Sequence, residues 1–155
     1  MAIVELTDLP RGAPLFGLDL GEKTIGIAAS DVSWMIASPL ETLQKGKFGD
    51  DAASLFRLMG GRGAQSLVIG LPINMDGTEG ARCQSVRAFA RNLLRLKDMP
   101  IAFWDERLSS AAVNRMMISE MDLTRARRAQ LVDKLAATYI LQGALDRLRP
   151  QKFDP

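Results

Sequence analysis

The chain has 155 residues, 47% of them hydrophobic, with 20 basic and 18 acidic side chains and a formal net charge of +2. That length suits one domain able to bury a sizeable core, and the balance excludes a disordered chain. The single cysteine, Cys83, excludes an internal disulfide, and the absence of histidine excludes His-based triads, His general bases and His-containing zinc sites.

Residues 1–14 carry Glu5, Asp8 and Arg11 without a long apolar run, so they read as a loosely packed leader ended by Pro14 and not as an export signal. No stretch approaches the ~20 apolar residues of a membrane span. A cytoplasmic protein with no membrane partner is expected. Leu15 to Leu20 is a short apolar run bounded by Gly21, a buried strand, and Thr24 to Ala29 returns from the turn as its hairpin partner. Met35 to Leu43 reads as a third strand, placed at an edge by Pro39. From Asp50 the spacing of Ala52, Leu55, Phe56 and Met59 is helical, with Gly60-Gly61 as the stop. Ser66 to Gly70 is a buried strand followed by a loop over residues 71–77. A helix from near Thr78 carries Val86, Phe89, Leu93 and Leu96 on one stripe, and Ile101 to Trp104 is the next strand. Ser109 or Ser110 caps a helix bearing Ala112, Val113, Met116 and Met117. A basic linker at 124–128 leads into a long helix from about Ala129 to Leu148, stopped before Pro150. Hairpins first, then strands alternating with helices, predict an α/β domain with a mixed sheet. The organisation expected is a leader at 1–14, one domain at 15–149 and a tail at 150–155.

Three acids stand in apolar settings. Asp19 lies inside the first strand, where an ionised carboxylate costs several kcal/mol unless something compensates it. It either caps the hairpin turn or faces a cation. Asp105 and Glu106 end a strand on opposite faces, so only one of them can share a site with Asp19, and periodicity does not choose between them. Asp133 heads the helix face made by Ala137, Ile140, Leu141 and Ala144, which should meet the sheet. Carboxylates gathered at one sheet edge repel unless divalent cations neutralise them, and oxygen ligands select Mg²⁺ or Mn²⁺. Such an arrangement suits phosphodiester hydrolysis.

Gly17-Leu18-Asp19-Leu20-Gly21, then Lys23, Ile25-Gly26-Ile27-Ala28 and Ser30-Asp31, resemble the opening motif of the YqgF/RuvX family. The run from Gly70 to Gly77 is similar to its second block, Asp105-Glu106-Arg107-Leu108-Ser109-Ser110 to its third, and Val132 to Ala137 with Ile140-Leu141-Gln142 to its last. The resemblance implies a ribonuclease-H-like fold with a five-stranded mixed sheet in the order 3-2-1-4-5 flanked by helices. It makes Asp19, Glu106 and Asp133 the catalytic and metal-holding acids, which chooses Glu106 over Asp105. It implies a metal-dependent nuclease maturing the 5′ end of pre-16S ribosomal RNA in ribosome biogenesis. The alternatives are a junction-resolving DNA endonuclease on branched DNA or a non-catalytic RNA-binding assembly factor. Thr24 departs from the family, which commonly has arginine there. Asp19-Leu20-Gly21 with Lys23-Thr24 also resembles the phosphate hairpin of actin-like ATPases and sugar kinases, but those close two domains around a nucleotide and this chain is long enough for one.

Residues 107–134 carry Arg107, Arg115, Arg125, Arg127, Arg128 and Lys134 against three acids, a local balance of +3. Substrate phosphates are expected on Arg107, Arg127 and Arg128, with Lys23 at the hairpin turn and Asn74 in the loop after the fourth strand. Trp34 and Trp104 are expected in the core, and Cys83 is expected to be inert. A monomer or weak homodimer is anticipated.

Overall fold

The computed structural model describes residues 3–109 and 124–149. Among the described residues the strands are β1 (Leu15–Leu20), β2 (Thr24–Ser30), β3 (Ala37–Gln44), β4 (Ser66–Leu71) and β5 (Ile101–Asp105). The helices are α1 (Phe48–Arg62), α2 (Ala81–Leu96) and α3 (Arg125–Leu148). The strands form one sheet in the order β3-β2-β1-β4-β5, as expected. The β1–β2 and β2–β3 pairs are antiparallel, and β4 lies parallel to both β1 and β5. The helix expected after Ser109 or Ser110 falls outside the described residues.

The strand β1 is buried at every position because it is central and covered on both faces. Phe16, Leu18 and Leu20 join Leu55, Met59, Phe89 and Leu93 in a bulky core on the α1/α2 face. Leu15 belongs to the second core, where Ala28, Val68, Ala102 and Trp104 meet Ala136, Ala137, Ile140, Leu141 and Ala144 of α3. That second layer is thin. A Cβ on Gly17 would stand 2.7 Å from Leu141 Cβ and 3.2 Å from the Ala137 carbonyl oxygen, so the helix rests directly on the strand backbone. Glycine inside a strand commonly marks such a close approach.

The orientation of α3 follows from its contacts. Leu148 O accepts from Arg11, Arg149 Nη2 donates to Met35 O, and Gln142 Oε1 accepts from Ala37 N. The C-terminal end of α3 therefore lies by the β2–β3 turn and the beginning of β1, and its N-terminal end lies toward the carboxyl ends of β1 and β4.

Several boundaries differ from the sequence expectations. The helix α1 runs through Gly60-Gly61 and ends at Gly63, whose N–H reaches Gly60 O while Ala64 N–H reaches Met59 O, a paired C-terminal cap. The helix α2 begins at Ala81, because Asn74 to Thr78 is closed into a turn by Asn74 N to Thr78 O at 2.9 Å and Gly77 N to Asn74 O at 2.8 Å. Leu96 is exposed and Met99 takes the buried place beyond it. The basic stretch 124–128 is helix, not linker: Thr124 Oγ1 accepts the Arg127 N–H and caps α3.

The leader is more firmly held than loose packing implies. Ile3 bridges Ile101, Val4 N donates to Ile101 O at 2.9 Å, and Leu9 is buried. Trp34, with φ +59°, donates from Nε1 to Ala13 O at 2.7 Å and is covered by the Arg11 guanidinium at 4.5 Å. Asp31 shapes that turn by accepting the N–H groups of Ile36 at 2.9 Å and Met35 at 2.8 Å. The Ile36 hydrogen bond foremost, with that of Met35, holds the Asp31 carboxyl below its ordinary value of 3.8.

Gly17→Ala should destabilise the domain by about 1–3 kcal/mol through overpacking, read as a shift in urea midpoint with unchanged slope. For Asp31 the folded value is the lower one, so its contribution is complete above the ordinary carboxylate range and disappears as pH falls through the folded value. As pH falls from the ordinary carboxylate value through the lower folded one, the wild type should therefore lose stability more steeply than Asp31→Asn. Equal slopes in urea unfolding across that range would show that the turn does not depend on the charge.

Candidate active site

Near the end of β1, Asp19 is 3% exposed and lies opposite Gly26 of β2. Alternation puts it on the same face as Leu15 and Gly17, the face that α3 covers. The β1–β4 register pairs Leu18 with Ile69, so one step further Asp19 is level with Gly70.

Glu106 is 8% exposed and begins a short 3₁₀ turn, Glu106–Leu108, directly after β5. Trp104, two residues earlier, packs in the α3-side core, so Glu106 emerges on that face and Asp105 on the other. The Cγ of Glu106 lies 3.2 Å from where a Cβ on Gly70 would stand, and Ile140 Cδ1 crowds the same point. Gly70 is thus the floor between Asp19 beside it and Glu106 above it. The strand β1 and the turn after β5, on either side of β4, supply the two buried carboxylates to one face.

Asp133 lies in α3, one turn before Ala137, whose carbonyl sits over Gly17. Because α3 runs opposite to β1, one helical turn back (~5.4 Å) tracks two strand residues forward (~6.7 Å), from Gly17 to Asp19. The backbone of Asp133 is therefore placed level with Asp19. The side chains of Asp133 and Lys134 are outside the described residues, and among the described residues no cluster of three potential metal ligands occurs.

Asp105 is engaged elsewhere. It accepts the Arg107 N–H at 2.9 Å and pairs with the Arg107 guanidinium at 2.7 Å. The Arg107 side-chain hydrogen bonds, ahead of the backbone one, hold its carboxyl below the usual range, and Asp105 in turn raises Arg107. Arg107 also reaches Met75 O at 3.4 Å, so it ties the strand end to the loop after β4. Asn74, exposed in that loop, donates from Nδ2 to Thr78 Oγ1 at 3.0 Å, while Asp76 accepts the Thr78 hydroxyl at 2.6 Å. These side chains build the turn. Lys23 is exposed in the β1–β2 turn, with its carbonyl accepting Lys45 N at 2.8 Å. Arg127 is exposed and Arg128 half-buried in the first turn of α3, which holds no acid. Trp34 and Trp104 are core residues, and burial pushes the Cys83 thiol up, as suits an inert side chain.

The donors fit a hard divalent cation. Two buried oxygen ligands of like charge, brought to one face on either side of Gly70, suit an oxygen-seeking ion that would offset their repulsion. Sequence reasoning had no view of Gly70, because its importance comes from strand pairing. A glycine inside an apolar strand was the available signal.

A family model described as "RuvX: Holliday junction resolvase" matches residues 13–147. A protein of Phenylobacterium zucineum (strain HLK1) with the name "Putative pre-16S rRNA nuclease" is 68% identical over 154 residues, covering 96% of this chain and 99% of that one. A protein of Caulobacter vibrioides (strain NA1000 / CB15N) with the same name is 60% identical, again over 96% of this chain and 99% of its own. The fold is shared with Thermus thermophilus RuvC, solved in complex with Holliday junction substrate, at a TM-score of 0.52 and 12% identity over 88% of this chain and 96% of that one. With a family match over most of its length and relatives at 60–68% identity, this chain belongs to the RuvX family.

Proposed function

We propose that this protein is a nuclease that hydrolyses phosphodiester bonds in the maturation of the 5′ end of pre-16S ribosomal RNA, with Mg²⁺ or Mn²⁺ held by Asp19, Glu106 and Asp133. The observation that carries the reading is the pair of buried carboxylates flanking Gly70. The names of the relatives supply the substrate class.

When bound, a divalent cation supplies charge neutralisation and Lewis acidity to an in-line displacement at phosphorus. Asp19 at the end of β1 and Glu106 after β5, on either side of β4, would hold it with oxygens on the rigid sheet end, so little reorganisation would be needed. Asp133, whose backbone in α3 is level with Asp19, would complete the set. The thin Ala-rich layer excludes water behind the acids and leaves their open side at the carboxyl end of the sheet.

Arg125, Arg127 and Arg128 crowd the first turn of α3 without an acid among them. Cations there oppose the helix dipole at a cost of about 0.3–1 kcal/mol each, so stability alone does not account for them. They put positive charge at the end of α3 nearest the acids, where a phosphodiester backbone would pass. Lys23, Asn74 and Arg107 line the neighbouring turns, Arg107 both bracing Asp105 and presenting its guanidinium to solvent. No helix of the described residues is long and apolar enough to cross a membrane. A ribosomal RNA substrate puts the work of this protein in the cytoplasm, as a monomer or weak homodimer.

Asp19→Asn and Glu106→Gln should each lower Mn²⁺-supported cleavage of a pre-16S transcript by at least about a hundredfold while the unfolding midpoint holds or rises. Cleavage by Asp19→Asn at the wild-type rate would sink the assignment. Cutting of a four-way DNA junction in preference to the transcript would redirect it to branched DNA. Replacing Arg127 and Arg128 with Gln should flatten the dependence of log affinity on log salt by about 0.7 for each phosphate that is no longer neutralised. An unchanged slope in a salt titration of RNA binding would remove both residues from the phosphate path.

A further inference from the structure

We infer that a cleft on the α1/α2 side of β1 is a nucleotide subsite, which takes the nucleotide next to the scissile phosphate on a single RNA strand. This rests on the nuclease reading and extends it to a second surface. The cleft has a volume of about 470 Å³ and is bounded by the β1–β2 turn, the start of α1 and the exposed side of α2. That is within the usual range for sites that hold a small ligand.

Position is the first argument. Its floor is Leu20 and Gly21, the residues that directly follow Asp19. Leu20 faces the α1/α2 core, so the cleft opens around the sheet end from the acids and not over them. Two residues of extended backbone, about 7 Å, separate Asp19 from Gly21. An RNA strand with its phosphate at Asp19 and Glu106 reaches the cleft with its next nucleotide by wrapping that end.

The lining is the second argument. Phe48 and Phe89 pack edge to face with ring centroids 5.4 Å apart, and both border the cleft. An aromatic wall accepts any base by its π-face. On α2, Ala81, Ser85 and Ala88 are too small to fill the space, while Ser85 and Asn92 bring donors and acceptors for a base edge. The rim is cationic: Lys45, whose Nζ also touches Gly21 O at 3.1 Å, and the exposed Arg82 outweigh Glu22. An apolar aromatic wall with basic residues at its mouth matches a base joined to a phosphate.

The test uses the full chain in EDTA, so that binding is read without metal or turnover. A fluorescein-labelled single-stranded oligoribonucleotide spanning the processing site is titrated with wild type, Ser85→Trp and Arg82→Gln. Each substitution should weaken binding roughly tenfold, one by filling the cleft and the other by removing a cation. With 4-thiouridine placed beside the cleavage position, irradiation should cross-link RNA to peptides containing Phe48 or Phe89. Unchanged affinity in both variants, with no cross-link there, overturns the inference. Should Ser85→Trp fail to fold by its thermal melt, the surface variant Arg82→Gln and the cross-link decide alone. Free AMP binding as tightly as the oligonucleotide, and losing affinity in Ser85→Trp, also overturns it, in favour of a separate mononucleotide site. Cleavage by Asp19→Asn bears on the nuclease reading only, so loss of that reading is distinguishable from loss of the cleft.

Discussion

The seating of α3 on the bare backbone of β1 and β4 is the constraint on which the candidate site depends. Gly17 and Gly70 have no side chain where Ala137, Ile140 and Leu141 press down, and a methyl at either position meets helix atoms well inside normal contact. This closeness sets the height of Asp133 above Asp19. It also lets Ile140 and the stem of Glu106 close directly over Gly70. A larger residue at either glycine would lift the helix from the strands that carry Asp19 and lead to Glu106.

The two faces of the sheet have divided their work accordingly. On one, Phe, Leu and Met side chains fill a thick hydrophobic layer that supplies most of the apolar burial. On the other, alanines and a few larger groups make a thin layer with little volume to spare. A thin layer brings the backbone of α3 close to the strand ends that carry Asp19 and Glu106. The thick layer ends in an aromatic-walled cleft, where Phe48 of α1 meets Phe89 of α2.

Much of this was legible in the residues. The unbroken apolar run at Leu15 to Leu20 reads as a central strand because both its faces are covered, and Pro39 reads as an edge because it lacks an N–H. Helix ends were harder. Gly60-Gly61 looks like a stop, but Gly63 is the residue in the left-handed region that closes the cap. The arginines at 125, 127 and 128 resemble a solvated linker because charge hides the helical period, and only the Thr124 cap shows where α3 begins. Within the site, Asp19 was conspicuous as a lone acid among apolar neighbours. Periodicity alone left Asp105 and Glu106 open and the family resemblance chose Glu106, while the packing of Trp104 and the Asp105–Arg107 pair, both tertiary facts, show why the two acids differ. The cleft was invisible, since its walls come from segments that are distant in sequence and each ordinary alone.

Both rims of the sheet are guarded against adding a further strand. Along β5, residues 3 and 4 lie as a short parallel segment and take up the Ile101 carbonyl. Along β3, Pro39 and Glu41 stand exposed beside a bulge between Ile27 and Ala28, so that margin offers an interrupted, charged ladder. Two copies of this chain therefore have no clean rim along which to zip their sheets together. Contact between copies through these described edges would have to break that cover first.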